Sequence, residues 1–136
     1  MILRMAWNLV SELKLVEWLD IQFIEDSRGQ LSVIESNHIP FPPARFFFTA
    51  VEGENRERGG HAHKECWQLL FCISGQVDVC VVSTNGTEIY GLSQDGRALL
   101  IPPGNWSKQV FRDNHSVLGV IASHPYDAGD YVYEIY

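Results

Sequence analysis

The sequence predicts a single all-β domain of the jelly-roll barrel type. From Val16 onward the chain consists of short runs of β-branched and aromatic residues, separated by turn chemistry about every 8 to 12 residues. Its 136 residues, 46% of them apolar, are enough for one core and too few for two. That many strands in one small domain must close on themselves or split into two packed sheets to protect their edges.

The elements follow in order. Residues 1–15 place Leu3, Trp7, Val10 and Leu13 at roughly helical spacing, which predicts a short helix or an arm laid on a partner subunit. The domain proper, residues 16–136, opens with a strand over Leu19 to Ile24, a turn at Asp26-Ser27-Arg28-Gly29, and a strand over Leu31 to Glu35. Pro40, Pro42 and Pro43 favour an extended loop. A strand over Arg45 to Val51 precedes a polar, Gly-rich loop over Glu52 to Gly60. One apolar run, His61 to Ile73, leads to a Ser74-Gly75 turn and a strand over Gln76 to Val82. Asn85-Gly86 is a strong hairpin signal, because both central residues of a type I′ turn need positive φ. Thr87 to Leu92 returns from it, and Ala98 to Ile101, Lys108 to Phe111, Val117 to Ser123 and Tyr131 to Tyr136 complete the barrel.

Composition excludes several classes. Ten Lys plus Arg against seventeen Asp plus Glu give a formal charge of −7, which opposes nucleic-acid binding through phosphate neutralisation. Charged residues interrupt the apolar N-terminus before it reaches membrane-spanning length, so no membrane partner is expected. Cys66, Cys72 and Cys80 are odd in number and sit in apolar runs, the pattern of reduced core thiols in a cytoplasmic protein. Seven of the ten cations are arginines, and Arg28, Arg45, Arg56 and Arg58 fall within one 31-residue stretch. Guanidinium forks suit phosphate, so the acidic average leaves room for a local anion site.

The chemistry-bearing segment is Arg58-Gly59-Gly60-His61-Ala62-His63, followed by Gln68 and Gly75. On a strand, residues two apart share a face, so His61 and His63 project together. The spacing resembles the first metal-binding motif of the cupins, with Gln68 where those proteins place Glu. A second motif is matched at Gly96, Pro102 and Gly104, with Ser107 in place of its His. Two imidazoles, an amide and a hydroxyl form a poor ligand set for a divalent ion, so no catalytic metal and no other cofactor is expected. An imidazole pair without metal is suited to proton transfer near neutral pH.

A wider set of motifs occurs in order: Asp26-Ser27-Arg28-Gly29-x-Leu31, Val33-Ile34-Glu35, Ile39-Pro40-Phe41, Arg45 followed by aromatics, Arg58-Gly-Gly-His-Ala-His-Lys64, Gln68, Gly75, Leu100-Ile101-Pro102-Pro103-Gly104-x-Trp106, and Ala122-Ser123 to Tyr126-Asp127-x-x-Asp130-Tyr131. Over residues 20 to 136 this resembles the nucleotide-sugar 3,4-ketoisomerases, WxcM-like cupins acting on dTDP-4-keto-6-deoxyglucose. The resemblance implies a metal-independent isomerase that moves a carbonyl from C4 to C3 through an enediol, and a cytoplasmic homodimer with an exchanged N-terminal arm.

Carried over residue by residue, the resemblance makes His63 the carbon base and shuttle, His61 its acid partner or orienter, and Arg58 the group that polarises the keto oxygen or holds phosphate. Arg28 and Arg45 become diphosphate candidates. Gln68 lines the pocket, and Phe47 and Trp106 offer stacking surfaces. Tyr126, Asp127 and Asp130 match a signature without an assigned role. One departure stands out: where the family usually carries tyrosines, this chain reads Phe46-Phe47-Phe48-Thr49-Ala50. That strand supports a rival reading, a sugar-nucleotide sensor without turnover. A sugar-nucleotide epimerase is a second rival, although no Tyr acid with a carboxylate-paired His is evident.

Overall fold

The computed structural model describes residues 15–83 and 86–135. Twelve strands run through them: β1 (Glu17–Asp20), β2 (Gln22–Asp26), β3 (Gly29–Val33), β4 (Arg45–Ala50), β5 (Arg56–His63), β6 (Gln68–Ser74), β7 (Val77–Ser83), β8 (Gly86–Leu92), β9 (Arg97–Ile101), β10 (Trp106–Phe111), β11 (Val117–Ala122) and β12 (Tyr131–Val132). Short 3₁₀ turns at Ser36–His38 and Ala128–Asp130 interrupt them. Two five-stranded antiparallel sheets, ordered β1-β9-β6-β11-β4 and β12-β5-β10-β7-β8, form a cupin-like sandwich, and β2-β3 is a separate hairpin.

Period-2 alternation explains the core. Leu70 and Cys72 of β6, Val77, Val79 and Val81 of β7, Leu99 and Ile101 of β9, Phe111 of β10, and Leu118 and Val120 of β11 meet between the sheets. The alternate residues Leu69, Ala98 and Leu100 are also buried, because Leu19, Ile21, Ile34, Ile39 and Phe41 pack over the outer face. A sheet covered on both faces reads as a continuous apolar run, which is why β6 and β9 show little alternation in the sequence.

Several boundaries differ from expectation. The run from His61 to Ile73 is two strands, since residues 64–67 turn between β5 and β6. The expected loop over Glu52 to Gly60 is strand from Arg56 onward: Gly59 and Gly60, both at φ +85°, form a bulge against β10 and do not end the pairing. The Leu19 to Ile24 strand breaks at Ile21, and the last strand covers only Tyr131–Val132. β7 and β8 do form the expected hairpin, with Gly86 paired to Ser83 as the first residue of β8. The expected N-terminal helix or arm lies outside the described residues except for Leu15, as does Asn85. The three cysteines are free thiols, and no helix among the described residues is long and apolar enough to cross a membrane.

Gly75 has a packing reason. It sits at φ +72°, and a Cβ there would lie 2.5 Å from Ser116 Oγ and 2.9 Å from Ser116 Cα. The buried Ser116 hydroxyl in turn donates to Gln76 O and accepts from Gln76 N and Asp113 N, locking the β6–β7 turn.

Candidate active site

Strand register gathers the polar residues at one end of the sandwich. In the first sheet Arg45 of β4 pairs with Ala122, and Ala122 with Gln68, which faces Ile101. The next inward row is Phe47, Val120, Leu70 and Leu99. In the second sheet His61 pairs with Ser107, Arg58 with Gln109, and His63 with Tyr131. The bulge shifts the alternation by one, so Arg58 and His61, three residues apart, both face inward. A Cβ at Gly59 would meet Gln109 Oε1 at 2.7 Å, so the glycine also makes room for that amide.

The result is a cavity of about 320 Å³, lined by Phe47, Thr49, Arg58, Gly59, His61, Gln68, Leu70, Gln109, Leu118, Val120 and Tyr131, a size ordinary for small-ligand sites. Its floor is apolar and its upper wall carries the hydrogen-bonding groups. His63 sits behind His61 with 7% of its surface exposed, and the two rings meet edge to face at 5.0 Å. His63 Nδ1 is 2.9 Å from Asp130 Oδ2, and its Nε2 is buried with no partner. Asp130 also accepts from the backbone N–H groups of Glu65 (2.8 Å) and Cys66 (3.3 Å).

Arg45 has the second buried unpartnered nitrogen, its Nε. The guanidinium carbon lies 4.9 Å from the Phe47 ring centroid and 5.7 Å from that of Tyr126, and its charge acts on His63. Buried polar atoms are normally paired, so these two orphans, each behind a cavity-lining residue (Phe47 and His61), mark a place where a ligand completes the bonding.

Burial holds both imidazoles below the ordinary histidine value. For His61 the charge of His63 adds to the effect, against a hydrogen bond at Gly59. For His63, Asp130 opposes burial by hydrogen bond and charge without cancelling it, while Arg45 reinforces it. Burial pushes the Asp130 carboxyl upward, but the hydrogen bonds from His63, Glu65 and Cys66 outweigh this and leave it low. The pair is therefore a neutral imidazole donating Nδ1–H to a carboxylate, with a free lone pair on Nε2.

The WxcM-like family model, described as FdtA: WxcM-like, C-terminal, matches residues 14–136. The chain belongs to the WxcM-like family. Among its relatives, the TDP-4-oxo-6-deoxy-alpha-D-glucose-3,4-oxoisomerase of Aneurinibacillus thermoaerophilus is 32% identical over 84% of this chain and 83% of that protein. The structure of QdtA, a sugar 3,4-ketoisomerase from Thermoanaerobacterium thermosaccharolyticum in complex with TDP, is 30% identical over 88% of each chain with a TM-score of 0.81. A histidine-to-asparagine variant of that enzyme, in complex with TDP-4-keto-6-deoxyglucose, is 29% identical over 88% of this chain and 87% of its own, with a TM-score of 0.81.

In this WxcM-like chain the structure brings His61, His63, Arg58, Arg45, Phe47 and Gln68 together. It does not bring Arg28 or Trp106 to the cavity. Arg28 is 87% exposed on the β2–β3 hairpin and bonded to Asp26 at 2.6 Å, because the hairpin forms a sheet of its own. Trp106 precedes inward-facing Ser107 and so points the other way, donating its Nε1–H to Tyr133 O (3.1 Å). Of the three phenylalanines on the expected strand, only Phe47 faces inward; Phe46 and Phe48 are 56% and 65% exposed on the outer face. Sequence reasoning missed Thr49, Gln109 and Tyr131 as cavity residues, and Asp130 as the partner of His63. The C-terminal signature was the signal for the last two. Its other members have local roles: Asp127 caps Gly129 N, and Tyr126 lies under Arg45.

Among the described residues, two groups are the candidates to hold a metal ion. The cupin-like set of His61, His63, Gln68 and Ser107 contains no carboxylate or thiolate and fits a divalent ion poorly. His63, Cys66 and Asp130 place ligand atoms within 4.8 Å of one another, but the His63 and Asp130 atoms already bond each other, and Asp130 also accepts from two amides. That group serves to orient His63.

The pKa directions set a pH profile. A base must be neutral, and both histidines stay neutral to a lower pH than the ordinary 6.5. The expected kcat/KM is flat from neutral pH down through 6.5 and falls only below it; an acid limb at or above 6.5 in a pH–rate series counts against either histidine as the base.

Proposed function

We propose that the chain is a 3,4-ketoisomerase that converts a dTDP-linked 4-keto-6-deoxyglucose to its 3-keto isomer by proton transfer alone. The observation that carries this reading is the His63–Asp130 pair, whose orphaned Nε2 belongs to a ring packed edge to face on His61, which lines the cavity. His63 Nε2 takes the C3 proton. The C–H electron pair forms a C3=C4 double bond, and the carbonyl pair moves onto O4. His61 transfers the O3 proton to O4, a carbonyl forms at C3, and His63 returns its proton to C4. One hydrogen has moved from C3 to C4 and one from O3 to O4, so no oxidant is consumed. Arg58 lines the wall where negative charge builds on the sugar oxygen, and Arg45 suits that charge or the diphosphate. Gln68 orients the sugar, and Phe47 with Leu70, Leu118 and Val120 covers its apolar side.

The test is incubation with dTDP-4-keto-6-deoxyglucose in deuterated buffer, followed by NMR. Deuterium at C3 and C4 with a new 3-keto product is the expected result. The structure does place a carboxylate-paired His63 beside Tyr131, the arrangement that was not evident in the sequence for the epimerase rival; exchange at C5 supports that reading, and binding without exchange supports the sensor.

The reading includes a homodimer. Phe46 and Phe48 lie outward on edge strand β4, with Phe46 stacked on Phe71, an apolar surface of the kind a second copy covers. With the N-terminal segment as an exchanged arm, deletion of residues 1–12 is expected to lower the dimer fraction in light scattering, and an unchanged dimer removes that role.

A further inference from the structure

Strand β4 presents Phe47 and Thr49 to the cavity and no phenol. The one tyrosine among the described lining residues arrives from the opposite sheet: Tyr131, on β12. Its ring centroid is 4.5 Å from that of His61 and 4.6 Å from that of His63, so it touches both imidazoles. Its hydroxyl makes no hydrogen bond with any described residue. The position is held firmly, because the preceding residue is tied to the loop after the base at four points. Asp130 accepts from His63 Nδ1, Glu65 N and Cys66 N through its side chain and from Lys64 N through its carbonyl. Tyr131 itself pairs with His63 across β5 and β12.

Tyr131 lines the cavity, packs its ring on both proton-transfer imidazoles and has no hydrogen-bond partner among the described residues, so the donor capacity of its hydroxyl is available to a ligand. We propose that Tyr131 is a catalytic residue whose hydroxyl donates a hydrogen bond to the sugar oxygen that becomes negative in the enediolate. It supplies from β12 the phenol that β4 lacks, which deepens the ketoisomerase reading and rests on it. No proton leaves Tyr131; it stabilises charge on O4 and then on O3, while His63 and His61 carry the protons. A donor preset at the position of a developing oxyanion acts mainly on the chemical step.

Tyr131→Phe keeps the ring, both imidazole contacts and the strand pairing, and removes only the hydroxyl. The expected result is a fall of about 10²-fold in kcat and in C3 deuterium exchange, with KM within a few-fold of wild type and with unchanged affinity for TDP, which lacks the keto-hexose. Exchange within twofold of wild type overturns the proposal, since a packing role alone leaves the rate intact. Calorimetry separates this from failure of the ketoisomerase reading. If wild type shows no exchange at C3, that reading fails, and affinity for the keto-sugar nucleotide decides the contact. A loss of about two- to tenfold in Tyr131→Phe, with TDP binding unaffected, supports the hydroxyl–sugar hydrogen bond; equal affinity overturns it.

Discussion

His63→Ala is expected to lower deuterium exchange at sugar C3 by about 10²- to 10⁴-fold, the range that a positioned general base supplies. The physical basis is the asymmetry of the ring. Nδ1 is committed to Asp130 at 2.9 Å, so the proton resides there and Nε2 carries the lone pair. Burial keeps the ring neutral, and Nε2 has no partner in the protein to be displaced before it can act. His61→Ala separates the two histidines. It is expected to leave measurable C3 exchange while product formation slows, because in the proposed mechanism His61 moves the proton between oxygens and does not take it from carbon. NMR of recovered substrate and product in deuterated buffer reads both steps. Full C3 exchange in His63→Ala assigns the carbon base to another group.

Asp130→Asn is expected to reduce turnover by a similar factor, about 10²- to 10⁴-fold, with the fold preserved. With its oxygen at the Oδ1 position the amide still accepts from Glu65 N–H, and the Asp130 carbonyl still accepts from Lys64 N, so the turn after β5 keeps those anchors and loses only the longer Cys66 bond to Oδ2. The amide nitrogen now donates toward His63 Nδ1, which must become an acceptor, and the ring proton is driven to Nε2, where the base lone pair was. The ring stays in place while its usable tautomer is lost. Asp127→Asn is the matching control, since Asp127 contacts Gly129 N in the 3₁₀ turn and does not touch His63. Thermal melts of both variants near wild type, with turnover lost only in Asp130→Asn, is the expected pattern. Normal turnover in Asp130→Asn removes the tautomer from the mechanism.

Local chemistry explains which features were legible in advance. The His-x-His pair follows from strand geometry, because two residues apart means one face, and the rings do meet at 5.0 Å. The hairpin of β7 and β8 and the extended Pro-rich loop before β4 likewise follow from neighbouring residues. The bulge at Gly59-Gly60 was read as a loop because two glycines in a polar run look like one. Only the register against β10 reveals that pairing continues through them and that Arg58 joins the inner face as a result. Arg28 and Arg45 looked equivalent as isolated cations in one stretch. They part because Arg28 lies on a separate two-stranded hairpin with Asp26 in reach, whereas Arg45 lies on a sheet row shared with Gln68.

The sequence by itself determined the all-β class, the strand content, the two imidazoles on one face and the family. These depend on side-chain period, turn residues and motif order, all of which are local along the chain. Only the tertiary structure decided that Asp130, 67 positions from His63, sets the tautomer of that ring, that Tyr131 packs against both histidines, and that Trp106 turns away from the cavity. Those facts depend on which strands pair and in what register. Pairing across a barrel is set by burial of both sheet faces at once, a property of the closed structure that no single segment carries.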